Sequence, residues 1–594
     1  MNRKIKYITL AIFIIIAFIV FGNSLAGDFV FDDLAIVRDR LELKNIEHLP
    51  YLFFEPYHNM GYDGDIYRPI TMASFSLNYN ILGKKPWGFH FVNILLHTLA
   101  SWLVFLLLFK LTKKIDFSFL ASFLFLILPI HTEPINAIVG RAEMLSLLFS
   151  VWCLLLLLKV KNKQTKKKNI SVQFWAALLF LTALLSKESA LGLLPLYFVI
   201  VFINTRGNIF IVRLKIISSK YWLNFTYLIG AILFYFSMRA ATLEKLINTN
   251  SSIVENPLKF VDWTERLMTA IKILGIYLYK IIWPYNNLSS DYSFNQIPVE
   301  INWSSWYFWA GLTALSLIII IIIKALLKPS KNNYPSQIII LASSFFIFYF
   351  MITSNLLFPI GTIMAERLMY IPSLGICMIL GLLITMLRNL LRNKMGNKNY
   401  SQYIYLLIVL LLAIFYSAIS FNRNFDWKNE SSLFASAATR SPNSVLSRSN
   451  LGAIYLLENN LDAAEKEIIA AQNIYDSYNH NLNNLGLLYF KKEKFKKARD
   501  QFIFTLKKYP SYGSAIDNLA LTYFKLGEYK KAKKFWDIIY GNKNAQLYLT
   551  AYFNNEFNKL IQENKIDQAK KLLFQTKNIV DNKKWLKEIE TLLK

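Results

Sequence analysis

FHFVNILLHTLASWLVFLLLFKL, residues 89–111, is the stretch whose reading decides the fold. At 1.5 Å rise per residue it is long enough to cross a hydrocarbon core of about 30 Å. Lys113 and Lys114 close it, as a basic end closes a membrane span on the cytoplasmic side. Similar apolar runs precede and follow it. They lie at 7–22, 116–130, 138–158, 172–186, 188–204, 221–238, 306–327, 336–354, 368–387 and 402–420. With modest tilt or local thinning each reads as a crossing, which makes about eleven spans in an all-α, polytopic membrane protein. With 55% apolar and 15% aromatic residues, the composition excludes an ordinary soluble domain.

The formal charge of +28 raises nucleic acid as a partner. The cations are spread over short loops between apolar runs and over the C-terminal part, and no nucleic-acid-binding signature accompanies them, so that partner is excluded. Cys153 and Cys377 sit far apart inside apolar runs, which supports neither a disulfide framework nor a thiolate metal site.

The basic tracts set an expected topology. Lys113-Lys114, the tract from Lys159 to Lys168, the stretch holding Arg206, Arg213, Lys215 and Lys220, and the segments Lys324 to Lys331 and Arg388 to Lys398 alternate as cytoplasmic loops. The N-terminus is then cytoplasmic and the C-terminal part extracytoplasmic, in a cell membrane or an endoplasmic-reticulum membrane. The first run also fits a secretory signal with Ser24 and Ala26 before the cut. An uncleaved span is preferred, because cleavage would unanchor the acidic loop that follows. Residues 266–283 carry Lys272 and Lys280 and end at Trp283-Pro284. A crossing there would reverse the later loops, so the expectation is an amphipathic helix lying on the outer surface.

Three regions follow: a multi-span domain over 1–421 with a first outer loop at about 23–88, a linker at 422–442, and a repeat domain over 443–594. In the last, Asn450-Leu451-Gly452, Asn484-Leu485-Gly486 and Asn518-Leu519-Ala520 recur every 34 residues. Tyr455, Tyr489 and Tyr523 keep the same register, as do Ala464, Ala498 and Ala532, then Ile468, Phe502 and Trp536. A period of 34 with small residues where paired helices meet is the tetratricopeptide signature of an α-solenoid. A degenerate fourth pair, about 551–573, caps it.

Polar clusters gather at the outer ends of the spans. Asp32 and Asp33 follow the first span, with Arg68 in the same loop. His131, Glu133, Arg141 and Glu143 lie in HTEPINAIVGRAE, Lys187 and Glu188 in LLSKESA, and Glu366 and Arg367 in MAERLMYIPSLG. An isolated Asp-Asp is ordinarily a solvated turn, and any one cluster is equally an ion pair holding helix ends. Charged groups at membrane depth are costly unless paired or hydrated, so four clusters on one face favour an active cavity. Sugar transfer from a polyprenyl phosphate to a hydroxyl needs a base for the acceptor proton and cations for the departing phosphate. A carboxylate with the ordinary aspartate pKa of about 3.9 is ionised and can take that proton. Arg presents a planar fork to phosphate, and Lys a point charge. His131 and Glu133 suit a metal in type, but two ligands are too few, and a hydrogen-bonded pair orienting acceptor or phosphate is the alternative.

FVFDD (29–33), YRPIT (67–71), PWGFHFVNILLHTLAS (86–101), HTEPINAIVGRAEMLS (131–146), LLSKE (184–188) and SNLLFPIGTIMAERLMYIPSLG (354–375), ahead of a repeat array, resemble the transmembrane-and-tetratricopeptide-repeat O-mannosyltransferases, type C glycosyltransferases. The likeness runs in order along nearly the whole chain. It implies inverting transfer of mannose from a dolichyl- or polyprenyl-phosphate donor, a substrate rather than a cofactor, to Ser or Thr of a translocated protein, without a metal. It further implies a general base at Asp32 or Asp33, with Asp32 preferred. Arg141, Lys187 and Arg367 would hold the lipid phosphate, and Arg68, His131, Glu133, Glu143, Glu188 and Glu366 would support the site. The array here is shorter than in animal members, which leaves the acceptor open. Asn450, Asn484 and Asn518 could offer an amide ladder to an extended peptide or serve the repeat itself. Two other readings stay open at this stage: transfer to a glycan acceptor, and a membrane-anchored scaffold without activity.

Overall fold

A computed structural model describes residues 2–58, 66–159, 166–205, 210–243, 252–327, 334–395, 398–577, 579–580 and 582–593. Parts of the basic tracts used for topology, namely 160–165, Arg206, 328–331 and 396–397, lie outside the described residues. Every regular element among the described residues is helical. The chain divides into two compact units, Met1–Ser441 and Pro442–Lys594.

Among the described residues of the first unit, eight helices are long and apolar enough to cross a membrane. A further apolar pair, Ile115–Ile127 with Pro129–Asn136, is bent by 49°, as in a broken span or a re-entrant loop. Two shorter apolar helices, Ile170–Ser186 and Glu188–Asn204, occupy the remaining segments read as spans. The protein is multi-pass. The bend falls at Pro129, whose ring cannot donate to the preceding turn and forces Leu128 into an extended conformation (ψ 125°). It aims His131, Glu133 and their neighbours away from the axis of the preceding helix.

Trp263–Ile282 is amphipathic and is not among the long apolar helices. Its N-terminus is fixed by a capping box between Asp262 and Glu265. Met268, Ile271, Leu274 and Tyr277 face inward, while Lys272 pairs with Glu300 at 3.0 Å. The segment 422–442, expected as a linker, is instead ordered structure, and all of it up to Ser441 belongs to the first unit. It finishes the helix Lys398–Asn424, makes a short turn, and forms the helix Glu430–Arg440, which buries Leu433, Phe434, Ala437 and Ala438. Arg440 bonds to Asp426 at 2.6 Å and to the carbonyl of Leu288 at 3.2 Å. These bonds, with the buried apolar face of Glu430–Arg440, hold the segment in place.

The second unit pairs Val445–Leu457 with Leu461–Ile474, Asn479–Lys491 with Phe495–Lys508, and Gly513–Lys525 with Tyr529–Gln562. Ala464, Ala498 and Ala532 are fully buried, as are Ile468, Phe502 and Trp536. A Cβ on Gly486 would stand 2.4 Å from the Phe502 ring, so the glycine is what lets the paired helices approach this closely. Tyr529–Gln562 runs continuously into the region read as a fourth pair, which Ile566–Thr576 and Lys583–Leu592 complete.

Candidate active site

The two acids of FVFDD have different fates. Phe31 takes a left-handed conformation (φ 50°), held by an edge contact to Phe434 at 5.7 Å, and this turns Asp32 and Asp33 in different directions. Asp33 is fully buried. Its carboxylate accepts the backbone N–H of Val139 at 2.9 Å, of Ile138 at 3.1 Å and, more weakly, of Val30 at 3.4 Å. Burial pushes its carboxyl up to about 7 against the pull of those donors. Asp33 therefore clamps the first outer loop to the turn before GRAE. Asp32 is half-buried and has no hydrogen bond to any described residue. Arg367, Tyr57 and His58 lie close enough to feel its charge.

Gly140 makes the GRAE turn possible, since a Cβ there would lie 2.1 Å from the carbonyl oxygen of Pro134. The helix Arg141–Leu157 that follows sends the Arg141 guanidinium inward, not into a cavity. Nε donates to Asn93 Oδ1 at 2.8 Å, Nη1 to the Ser74 carbonyl at 3.1 Å, and Nη2 to Asn78 Oδ1 at 2.9 Å and the Phe89 carbonyl at 3.1 Å. The side chain is fully buried and lies 4.8 Å from the Phe75 ring. The expectation that Arg141 holds phosphate is thus corrected: all three of its nitrogens are spent on locking helices together. Its partners Asn78 and Asn93 were not singled out in the sequence, since neither carries a charge that would draw attention at membrane depth.

The remaining cations are paired. Lys187 donates to Glu143, and both are almost fully buried. Arg68 grips Glu188 with both ends of its fork, at 2.6 and 3.1 Å, and lies 5.3 Å from the Tyr57 ring. Arg367 donates from Nη1 to Glu133 at 2.7 Å, and its backbone N–H reaches the other oxygen at 3.1 Å. Glu133 is 1% exposed and the Arg367 side chain 34%, so the carboxylate is consumed while the guanidinium keeps an open edge. Arg367 also feels Asp32 and Glu143, and Glu143 feels Arg68 and Glu188. The structure thereby brings Asp32, Arg68, Glu133, Glu143, Lys187, Glu188 and Arg367 into one electrostatic neighbourhood.

Two expected members stand apart. His131 is packed among the rings of His97, Phe125 and Tyr370, with Nε2 2.8 Å from Ser373 Oγ. It does not pair with Glu133, so the two neither orient an acceptor together nor share a metal. Glu366 is fully buried, accepting the Ser289 N–H and the Tyr292 hydroxyl, both at 2.7 Å, and pairing with Arg423. Burial holds its carboxyl above the ordinary range. Both are corrected from supporting roles at the site to internal braces. Among the described residues no group of three His, Cys, Asp or Glu has metal-site geometry.

Two residues at the site escaped sequence reading. Tyr57 is buried beside Arg68, Asp32 and Arg367, and its hydroxyl has no hydrogen-bond partner among the described residues. His58 follows it, its imidazole pushed below the ordinary value by burial and raised again by Asp32. Neither stands in a motif, and loop aromatics are common.

In the repeat unit, the Asn484 amide donates to the Ser449 carbonyl at 3.0 Å, and that of Asn518 to Asn483 at 2.9 Å. These amides tie each repeat to the one before it, which corrects the reading of a free ladder at both positions. Asn450, in the first repeat, is half-buried without such a bond among the described residues.

No protein-family model matches the chain. It is 25% identical over 497 residues to Protein O-mannosyl-transferase TMTC3 of Homo sapiens, covering 80% of this chain and 52% of that protein. A protein O-mannosyl-transferase of Caenorhabditis elegans is 30% identical over 487 residues, 79% of this chain and 63% of its own length. Protein O-mannosyl-transferase TMTC4 of Homo sapiens is 27% identical over 474 residues, 74% and 62% of the two chains. The chain thus spans about half to two thirds of the length of these curated relatives. Among solved structures, yeast Tom70 aligns with 83% of this chain and 94% of its own at 12% identity and a TM-score of 0.19, too low to argue from.

Proposed function

We propose, from the premise that the chain is a TMTC-like relative of the protein O-mannosyl-transferases, that it moves a mannosyl group from a polyprenyl- or dolichyl-phosphate carrier to Ser or Thr hydroxyls of translocated proteins. The observation that carries this reading is a half-buried carboxylate with no hydrogen bond to any described residue, Asp32, whose charge reaches the open-edged guanidinium of Arg367.

In the proposed reaction the acceptor hydroxyl oxygen attacks C1 of the sugar from the face opposite the phosphate. The C1–O bond to the lipid phosphate breaks with inversion, and the hydroxyl proton passes to Asp32. The leaving phosphate keeps the electron pair of that bond. Arg367, through its open edge, meets the developing charge, and the buried Lys187–Glu143 pair and the partly exposed Arg68–Glu188 pair hold the wall of the site in place. The Tyr57 hydroxyl, without a hydrogen-bond partner among the described residues and within reach of the same charges, is a donor for a phosphate or sugar oxygen. In this reading the site faces the extracytoplasmic side, and the acceptor protein docks on the repeat unit.

The test uses the full chain reconstituted in lipid with radiolabelled polyprenyl-phosphate mannose and a Ser/Thr peptide pool. Label should enter peptide, and Asp32→Asn should stop it while thermal stability stays at the wild-type value. Label appearing only in a glycan fraction would replace the protein acceptor with a glycan one. No transfer to either acceptor would overturn the reading.

A further inference from the structure

The helices that build the candidate site carry a second polar group at their opposite ends. Pro86–Thr112 holds Asn93 near its start, beside Arg141, and Lys110 near its end, with Lys113 just beyond. Arg141–Leu157 begins at the site, and Lys159 lies just past its end. The first helix, Arg3–Phe21, has Lys6 at its start and leads toward Asp32. Between the lysine-bearing ends lies a cavity of about 670 Å³, within the roughly 300–1,000 Å³ usual for a ligand pocket. Leucines line it together with Trp102 and Trp152.

The chemistry of this groove is one-sided. Lys6, Lys110, Lys113 and Lys159 all border it, and among the described residues no carboxylate does. Lys6, Lys113 and Lys159 make no ion pair among the described residues, and nearby Asp116 is taken by Arg388 at 2.8 Å. Lys110 is held by a bond to the Leu155 carbonyl at 3.1 Å, and Trp102 Nε1 donates to the Lys6 carbonyl at 3.1 Å, which fixes the start of the first helix on the rim. Trp152 is 46% exposed on a helix long and apolar enough to cross a membrane, so the groove opens toward the hydrocarbon. Positive loop ends need only the topology rule, but an apolar cavity left open between them needs an occupant with apolar chains and a negative head.

We infer that this groove binds an anionic phospholipid, its acyl chains along Trp102 and Trp152 and its headgroup phosphate among Lys6, Lys113 and Lys159. The inference rests on membrane embedding and not on the sugar-transfer reading. A lysine near a membrane surface contributes about 1 kcal/mol to anionic-lipid binding, about five-fold in affinity, so three removed lysines cost about a hundred-fold.

The experiment is lipid binding to the full chain in detergent by native mass spectrometry, with phosphatidylglycerol, phosphatidylcholine and water-soluble glycerol phosphate as separate arms. Phosphatidylglycerol should bind far more tightly than the other two. The combined variant Lys6→Gln, Lys113→Gln, Lys159→Gln should lose about a hundred-fold for that lipid alone while its melting curve stays at wild type. Since the triple variant could fold poorly, a second measurement uses phosphatidylglycerol with brominated acyl chains, which should quench tryptophan fluorescence less in Trp152→Phe than in wild type. Equal binding of the two phospholipids, equal binding of glycerol phosphate, or quenching unchanged in Trp152→Phe would overturn the inference.

Discussion

Exchanging the two adjacent acids separately should lower stability in one variant only. Asp33→Ala strips the acceptors from the Ile138 and Val139 N–H groups, which are bonded at 3.1 and 2.9 Å. A buried donor left unpaired costs about 1–3 kcal/mol, so the loss is about 2–6 kcal/mol for the pair, before any loosening of the loop. Asp32→Asn removes no hydrogen bond among the described residues and should melt with the wild type. If Asp32 is the base, its loss should cut turnover by about 10²–10⁴, or about 3–5 kcal/mol of barrier. The assay pairs thermal denaturation in detergent, followed by tryptophan fluorescence, with mannosyl transfer measured well below the lower melting midpoint. Asp33→Ala should be the unstable variant, and its turnover should fall too, because the clamp that positions Asp32 is gone. The argument fails if Asp33→Ala melts with the wild type, or if Asp32→Asn keeps full turnover.

Stability should also report the burial of Asp33. Its carboxyl is raised to about 7 in the folded chain, from an ordinary 3.8, so between about pH 4 and 7 the folded state holds a proton that the unfolded state has lost, and stability should fall as pH rises through that window, by up to about 4 kcal/mol. Glu366, raised by burial as well, adds to the same slope, and Asp33→Asn should flatten most of it in denaturation scans across pH. Arg367→Lys replaces a fork held on Glu133 by a point charge, and should lower kcat/KM for the lipid donor by about ten- to a hundred-fold with little change in melting. Gly486→Ala drives a methyl to 2.4 Å from the Phe502 ring, and should destabilise the repeat unit by about 1–3 kcal/mol, read as an earlier transition in calorimetry of the full chain.

The apolar segments and the 34-residue register were legible because both are local. A run of Leu, Ile and Phe declares a crossing, and the spacing of Gly452, Ala464 and Ile468 declares a packed helix pair, whatever lies elsewhere in the chain. The cluster of outer-face charges was legible too, since such groups at membrane depth need partners or water. Which partner each one takes was not. Asp33 looks like Asp32 until its donors arrive from residues 138 and 139, more than a hundred positions away. Arg141 reads as a phosphate ligand until Ser74, Asn78, Phe89 and Asn93 close around it. Sequence by itself determined a helical, multi-pass chain with a repeat unit and charged residues gathered at the ends of its spans. Only the tertiary structure decided that Asp33, Arg141, His131 and Glu366 are braces while Asp32 and Arg367 keep hydrogen-bonding capacity that no described residue uses, because a group's capacity is used up only by neighbours that folding, not sequence order, supplies.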